Sequence, residues 1–241
     1  MSSPRCYETR HAAADALATH RHRHAYAALV LDGRHIEASL DGPIDCEPGT
    51  VLLHPAFHAH GNRFGRSGAR VANFTLHGDF GIVRTRAWHV EDLRTAREVF
   101  MRCPERLPAL LAESGIAMTP ALPAWQQAFI TALDEGDEAI ATIAARLGVS
   151  AAHASRALLK SHGMAPQALR REGRWRRALA ALRGDGALAE IAAESGFADQ
   201  SHLTRVCRVH SGLPPAALRL QIKCVQDSMN TAMAQCGHGT A

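Results

Sequence analysis

The sequence is poor in aromatic residues and in long apolar runs. Phe, Trp and Tyr make up 5% of the 241 residues, with 2 Tyr and 3 Trp, a scarcity that argues against an aromatic platform for sugars. No run approaches the roughly 18–20 apolar residues that a membrane span requires. The opening residues lack the apolar core of a signal peptide. Six cysteines, at 6, 46, 103, 207, 224 and 236, show no C-x-x-C and no framework spacing, which fits a reducing compartment. The expectation is a soluble, cytoplasmic protein with no membrane partner.

The apolar fraction, 46%, is enough for real cores and argues against general disorder. The length leaves room for two domains. Charge divides the chain: residues 138–223 hold 13 Lys/Arg against 6 Asp/Glu, whereas residues 1–137 hold 14 against 16. Basic character is therefore concentrated toward the carboxy-terminal end, as binding to phosphates would want.

That basic stretch contains the most specific signal. Leu188, Ile191 and Ala192 fall at the spacing of one helix face, the pattern stops at Gly196, and Asp199 can cap a second helix. Leu203 and Val206 face inward on the second helix, leaving Gln200, Ser201, His202, Arg205 and Arg208 as a polar face fit for a major groove. Ala192 and Gly196 are the small residue and the turn that a helix-turn-helix needs. A second copy lies upstream. Ile143-Ala-Ala-Arg-Leu-Gly148 matches Ile191-Ala-Ala-Glu-Ser-Gly196, Ser155-Arg156 matches Thr204-Arg205, and Gly163-Met-Ala-Pro166 matches Gly212-Leu-Pro-Pro215. This is an internal repeat.

The duplicated I-A-x3-G, the G-F-x-D-Q-S-H-x-[ST]-R run and the closing G-x-x-P make residues 138–223 resemble the DNA-binding domain of AraC/XylS transcription regulators. The resemblance implies two reading helices joined by a long helix at about 166–183, both set into one side of promoter DNA. Base contacts would fall on Ala152, Ser155 and Arg156 in the first copy and on Gln200, Ser201, His202 and Arg205 in the second. Phosphate contacts are expected of Lys160, Arg170, Arg171, Arg174, Arg208 and Arg219. Leu159 and Cys207 stand where the family has a large aromatic core residue. Gly173 interrupts the linking helix at a cost of about 1 kcal/mol against alanine, and a slight bend is expected there.

Residues 20–89 read as short strands parted by turns: 25–31 before Asp32-Gly33, 36–40 before Asp41-Gly42, then 50–53 and 70–76. The family resemblance makes this a cupin-like β-barrel, and the overall class α+β: barrel, helical dimerisation segment, then an all-α domain with two helix-turn-helix motifs. The expected divisions are 1–89 for the sensor barrel, 90–137 for the helical segment with Asp134 to Glu138 as linker, 138–223 for the DNA-binding domain, and 224–241 for a disordered tail. Apolar stripes at Leu93, Ala96, Val99 and Phe100, at Leu107, Leu110 and Leu111, and at Trp125, Phe129, Ile130 and Leu133 would either pair two protomers or pack within the chain, pairing being the favoured reading.

His20, His22 and His24 alternate along a predicted strand and so share one face, with His54, His58 and His60 following. The cupin resemblance brings His20, His22 and His60 to one metal, His24 and His58 being further pocket candidates and His77 a weaker one. Neutral imidazoles so placed suit zinc, nickel, iron or copper, yet they can equally line a polar pocket. A glutamate expected just after the histidine pair is replaced by Ala27.

The function expected is a non-enzymatic regulator, without catalytic residues, whose barrel senses a small molecule or metal ion. Its partners would be promoter DNA, a second copy of itself, and RNA polymerase if it activates. The alternatives are a metal-dependent cupin enzyme of dioxygenase or isomerase type, and a DNA-binding protein whose barrel senses nothing.

Overall fold

The computed structural model describes residues 6–76 and 82–224. His77 and the tail with Cys236 and His238 lie outside them. Strands come first: β1 (Cys6–His11), β2 (Ala16–Arg21), β3 (Tyr26–Ser39), β4 (Gly42–Cys46), β5 (Thr50–His54), β6 (Ala59–Thr75) and β7 (Arg86–His89). Helices α1 (Leu93–Arg102) and α2 (Leu107–Ser114) follow, then a short strand, β8 (Ile116–Met118). The remainder is helical: α3 (Ala124–Glu135), α4 (Ile140–Arg146), α5 (Ala151–His162), α6 (Pro166–Ala181), α7 (Leu188–Glu194) and α8 (Gln200–Ser211). The strands form one antiparallel sheet in the order β1-β6-β3-β5-β7-β8, with β2 added to β6 and β4 to β3. The class is α+β, as expected.

The expected turn at Asp32-Gly33 is instead a bulge inside one continuous strand. The β3–β6 register shifts on either side of it, between Val30 and Asp32 and between Gly33 and His35. Gly33 takes φ +76°, and a Cβ there would lie 2.1 Å from the Gly68 carbonyl oxygen, so only glycine lets the two strands pass. The two expected strands are thus halves of β3. Similarly, the expected strand 70–76 is, up to Thr75, the far end of β6, whose first half runs through Gly61, Gly65 and Gly68 and carries no strand-like composition.

The run Ala27 to Leu31 is buried on both faces. Ala27, Leu29 and Leu31 meet Phe74, Ala96, Phe100 and Leu107 on one side. Ala28 and Val30 meet Ile44, Leu52 and Phe64 on the other. The stripes of α1 and α2 are therefore spent covering the sheet. The third stripe packs on the first reading head, Phe129 and Leu133 lying with Ile143, Leu158 and Leu169. The apolar faces expected to pair protomers are buried within one chain, because the sheet and the first head each lack another cover.

The acidic stretch expected as a linker is docked. Asp134 pairs with Arg177, Asp137 with Arg174 and Glu138 with Arg146, while Arg170 donates to the Glu138 carbonyl. Gly173 allows this approach, since a Cβ there would come within 2.8 Å of the Asp134 carboxylate. The helix α6 continues across Gly173, and close packing against Asp134 accounts for the glycine.

Candidate functional sites: paired reading helices and a histidine cluster

Each reading head is built by local signals. In the first, α4 ends at a turn where Gly148 takes φ +71°. Ser150 then caps α5, its side chain accepting from the His153 N–H at 3.1 Å, and Gly163 closes the helix in the left-handed region at φ +70°. The second repeats this plan with Gly196 at φ +83°, Asp199 accepting from the His202 N–H at 2.6 Å, and Gly212 at φ +77°. Ala144, Ala154 and Leu158 are fully buried in one head, and Ala192, Leu203 and Cys207 in the other. Between them α6 begins with Pro166 at its first turn, a position that has no intrahelical use for an N–H.

The histidine cluster sits where β2 crosses β6. His20 lies directly across from His60 in the ladder, and His22 follows the end of β2. The His20 Nδ1–H donates to the Ala18 carbonyl at 2.9 Å, which leaves its Nε2 lone pair facing His22 Nε2 at 3.1 Å. An imidazole pinned through its other nitrogen to a carbonyl is the usual orientation of a metal-ligating histidine. Ligand atoms of His20, His22 and His60 all lie within 4.8 Å of one another. Two nitrogens each about 2.05 Å from one tetrahedral zinc stand about 3.3 Å apart; the 3.1 Å between His20 and His22 is close to that, and His60 lies within 4.8 Å of both. Burial, with the neighbouring His20 and His54, lowers the His22 pKa to about 4. Burial and His54 likewise bring His60 to about 3. Both rings are thus neutral near pH 7, the form that coordinates.

Behind the cluster lies a second group that shares His60. Glu37 Oε2 stands 3.0 Å from His54 Nε2, both side chains almost wholly buried, and the Tyr26 hydroxyl contacts His60 Nε2 at 2.9 Å. Burial alone would raise the Glu37 pKa, but the charge and contact of His54, with His60 and His35, outweigh it and bring it to about 2. Glu37, His54 and His60 also offer three ligand atoms within 4.8 Å of one another.

The cluster is wired to α6. Arg21, between the two histidines in sequence, points the other way: its Nη2 lies 2.6 Å from Glu172 Oε2 and its Nη1 donates to the Phe57 carbonyl at 2.9 Å. Glu172 Oε1 accepts from the N–H of Ala59, next to His60, and from Arg176 Nε, both at 3.0 Å. Trp175 Nε1 donates to the same Phe57 carbonyl at 2.9 Å.

Residues 143–221 match the family model described as a helix-turn-helix domain. This part of the chain is a helix-turn-helix domain. Among solved structures, ToxT from Vibrio cholerae O395 is similar at 14% identity and a TM-score of 0.42, over 91% of this chain and 98% of that one. ToxT from strain SCE256, with an unsaturated fatty acid bound, gives 14%, 0.43, 93% and 98%. An AraC-type regulator from Chromobacterium violaceum gives 22% and 0.38 over 41% of this chain and 91% of its own. No curated protein matches.

Within the helix-turn-helix domain, Ala152, Arg156, Gln200, Ser201 and Arg205 are exposed, and Ser155 and His202 half-buried. Lys160, Arg171 and Arg208 are exposed too, and Arg171, His202 and Arg205 line one groove between the heads. Arg170 does not fit its expected phosphate role: it is buried, and its guanidinium is turned to the Glu138 carbonyl. Arg174 is engaged by Asp137, and Arg219 donates to the Gly186 carbonyl. Leu159 is exposed, and Leu158 fills the core beside it, so the expected aromatic-for-leucine vacancy falls one residue off.

Of the five pocket histidines, the structure gathers His20, His22 and His60. His24 does not share their face because β2 ends at Arg21 and the chain turns; it is exposed. His58 faces a different cavity. Glu37 and His54 are the members that strand alternation missed. The carboxylate sought near position 27 comes from further along β3, where the antiparallel pairing with β6 sets Glu37 opposite Asn62 and Ser39 opposite His60.

Proposed function

We propose that the chain is a transcription regulator in which the AraC-type domain reads promoter DNA and the amino-terminal, cupin-like domain senses a divalent metal ion or small molecule at His20, His22 and His60. The observation that carries the reading is the pair of capped reading helices, α5 and α8, with exposed donors on both and one unbroken helix between. Arg156, Gln200, Ser201, His202 and Arg205 supply base-edge donors, and Ala152 and Ser155 complete the first head. Lys160, Arg171 and Arg208 serve the phosphates, with Arg174 and Arg219 available only on release from their present partners.

Zinc, nickel, iron or copper would be held by the three imidazoles, supplying a charge-neutral ligand set a doubly charged centre. A ligand shifts an equilibrium only through different affinity for its two states. Arg21 and the Ala59 N–H join the cluster to Glu172, so tightening β2 against β6 acts directly on α6 and on the spacing of the heads. Domain divisions near 89 and 137, a homodimer through surfaces other than the buried stripes, a cytoplasmic location and contact with RNA polymerase on activation belong to the same proposal. No helix among the described residues is long and apolar enough to cross a membrane.

The test is selection of bound duplexes from fragmented genomic DNA, followed by anisotropy titrations with and without zinc. An enriched motif whose affinity changes with zinc in the parent, and not in a His20Ala/His22Ala/His60Ala variant, supports the reading. Absence of any enriched motif removes it. The buried Glu37 beside His54 favours one second reading, a metal-dependent enzyme, since a carboxylate near a metal can serve as its general base. Turnover by the zinc- or iron-loaded protein that is lost in Glu37→Gln would decide for it.

A further inference from the structure

Glu37 and His54 are residues that no sequence motif assigns. With His60 they lie deeper than His20 and His22, which are half-buried, since each of the three is 2% exposed or less. Three strands bring them together: Glu37 from the far half of β3, His54 from the end of β5 and His60 from the start of β6. Pairing of β3 with both neighbours sets Tyr26 across from His54, and Glu37 two residues before Ser39, the partner of His60. The Tyr26 ring stacks on His54 with 4.5 Å between centroids and closes one side of the group.

The contact between Glu37 and His54 is not an ordinary hydrogen bond. Glu37 Oε2 and His54 Nε2 stand 3.0 Å apart, yet His54 Nε2 and Glu37 Oε1 are both buried without a hydrogen-bond partner. A pair that served stability alone would not leave such atoms idle, because an unsatisfied buried polar atom is destabilising. Two donors each about 2.1 Å from an octahedral ion, and at right angles to each other, are about 3.0 Å apart. The observed spacing is the same, and a tetrahedral ion would set the donors wider. His60 completes a trio whose ligand atoms lie within 4.8 Å of one another.

Glu37 also supplies what the outer histidines lack. A buried dication is costly unless opposite charge is placed beside it, and three imidazoles bring none. Imidazole disfavours magnesium and calcium, which take oxygen ligands, whereas two imidazoles with one carboxylate suit ferrous iron and similar six-coordinate ions.

We propose that Glu37, His54 and His60 form a second, buried metal site, for a six-coordinate divalent transition metal such as ferrous, manganous or cobaltous ion. A neutral imidazole has one lone pair to give, so His60 serves either this site or the outer one, and the chain holds one ion at a time. The site does not depend on the metal reading of His20 and His22 or on DNA recognition.

Titration of the chelator-stripped full chain with Co(II), followed by calorimetry and visible absorption, tests it. Six-coordinate Co(II) absorbs weakly and four-coordinate Co(II) intensely, so the spectrum reports the ligand geometry. The His20→Ala/His22→Ala variant, which lacks the outer site, is expected to bind one Co(II) with undiminished affinity and weak absorption. Adding Glu37→Gln to that variant should weaken binding by about 100-fold, the upper end of what loss of a supporting residue costs a metal site. His54→Gln in the same background should act alike, and serves if the Glu37 variant does not fold. Loss of Co(II) binding in His20→Ala/His22→Ala, intense absorption in that variant, or unchanged binding after either added substitution overturns the proposal. Intense absorption in the parent that disappears with His20 and His22 would leave the outer site standing and remove this one. Binding that survives their loss and falls with Glu37 would do the reverse.

Discussion

The guanidinium of Arg21 lies 2.6 Å from the carboxylate of Glu172, with Glu172 almost wholly buried and Arg21 about four-fifths so. The pair joins the last residue of β2, flanked by the cluster histidines His20 and His22, to the helix between the two heads. Removing one partner of a buried ion pair leaves the other uncompensated and costs about 3–5 kcal/mol. Glu172→Ala is expected to lose stability in that range by urea denaturation and to uncouple DNA affinity from zinc. A variant as stable as the parent would show that Arg21 and Arg176 find other partners.

On the DNA side, Arg205 and Arg171 should separate reading from anchoring. Arg205→Ala is expected to cost about 1–3 kcal/mol at one base pair and relax preference there. Arg171→Ala should weaken all duplexes alike and lower the salt slope by about one. Anisotropy at several salt concentrations distinguishes them. Parent-like promoter affinity in Arg205→Ala would remove it from the reading face.

Asp137 holds the Arg174 guanidinium. Releasing that arginine should add one phosphate contact, so Asp137→Asn is expected to bind duplexes more tightly and to steepen the salt slope by about one. An unchanged slope would show that Arg174 stays out of reach even when free.

Acid should destabilise the fold. His60 is held at about 3 and His22 at about 4, and His162 and His210 at about 4, chiefly by burial. The unfolded chain therefore binds more protons than the folded one from about pH 6.5 down to those values, and stability is lost as pH falls through that window. The urea midpoint is expected to drop between about pH 7 and pH 4, and less steeply in His60→Asn. A flat midpoint would mean that these rings reach solvent.

The paired glycines at the β3 bulge offer a test of the sheet. Gly33→Ala places a Cβ against the Gly68 carbonyl oxygen in a left-handed backbone, and should cost more than about 1 kcal/mol. Gly136→Ala, where nothing lies within 4 Å, serves as the control. Equal stability of the two variants would show that β3 and β6 can shift past each other at the bulge.

Several of these sites were legible before any tertiary information. The two heads are announced by signals that act within a few residues: Ser150 and Asp199 cap, Gly148 and Gly196 turn, and the apolar residues between keep helical spacing. Their polar faces could be named for the same reason. Alternation put His20, His22 and His24 on one face and the cupin resemblance added His60; the structure brings His20, His22 and His60 together, and the chain turns before His24.

What remained hidden depended on contacts between distant residues. Gly33 reads as a turn until Gly68 is set against it. Glu37 and His54 join His60 only through the pairing of β3 with β5 and β6, and His58 leaves that group because its neighbours come from α6. The basic surplus of residues 138–223 was plain in the sequence, but which arginines stay free was not. Asp134, Asp137 and Glu138 fold back and claim Arg177, Arg174 and Arg146. Composition and short-range periodicity thus determined the DNA-reading heads, since caps and turns are satisfied locally. The two candidate metal sites were decided by tertiary structure, because a buried charge or imidazole acquires its chemistry from partners that only strand pairing and helix docking bring within reach.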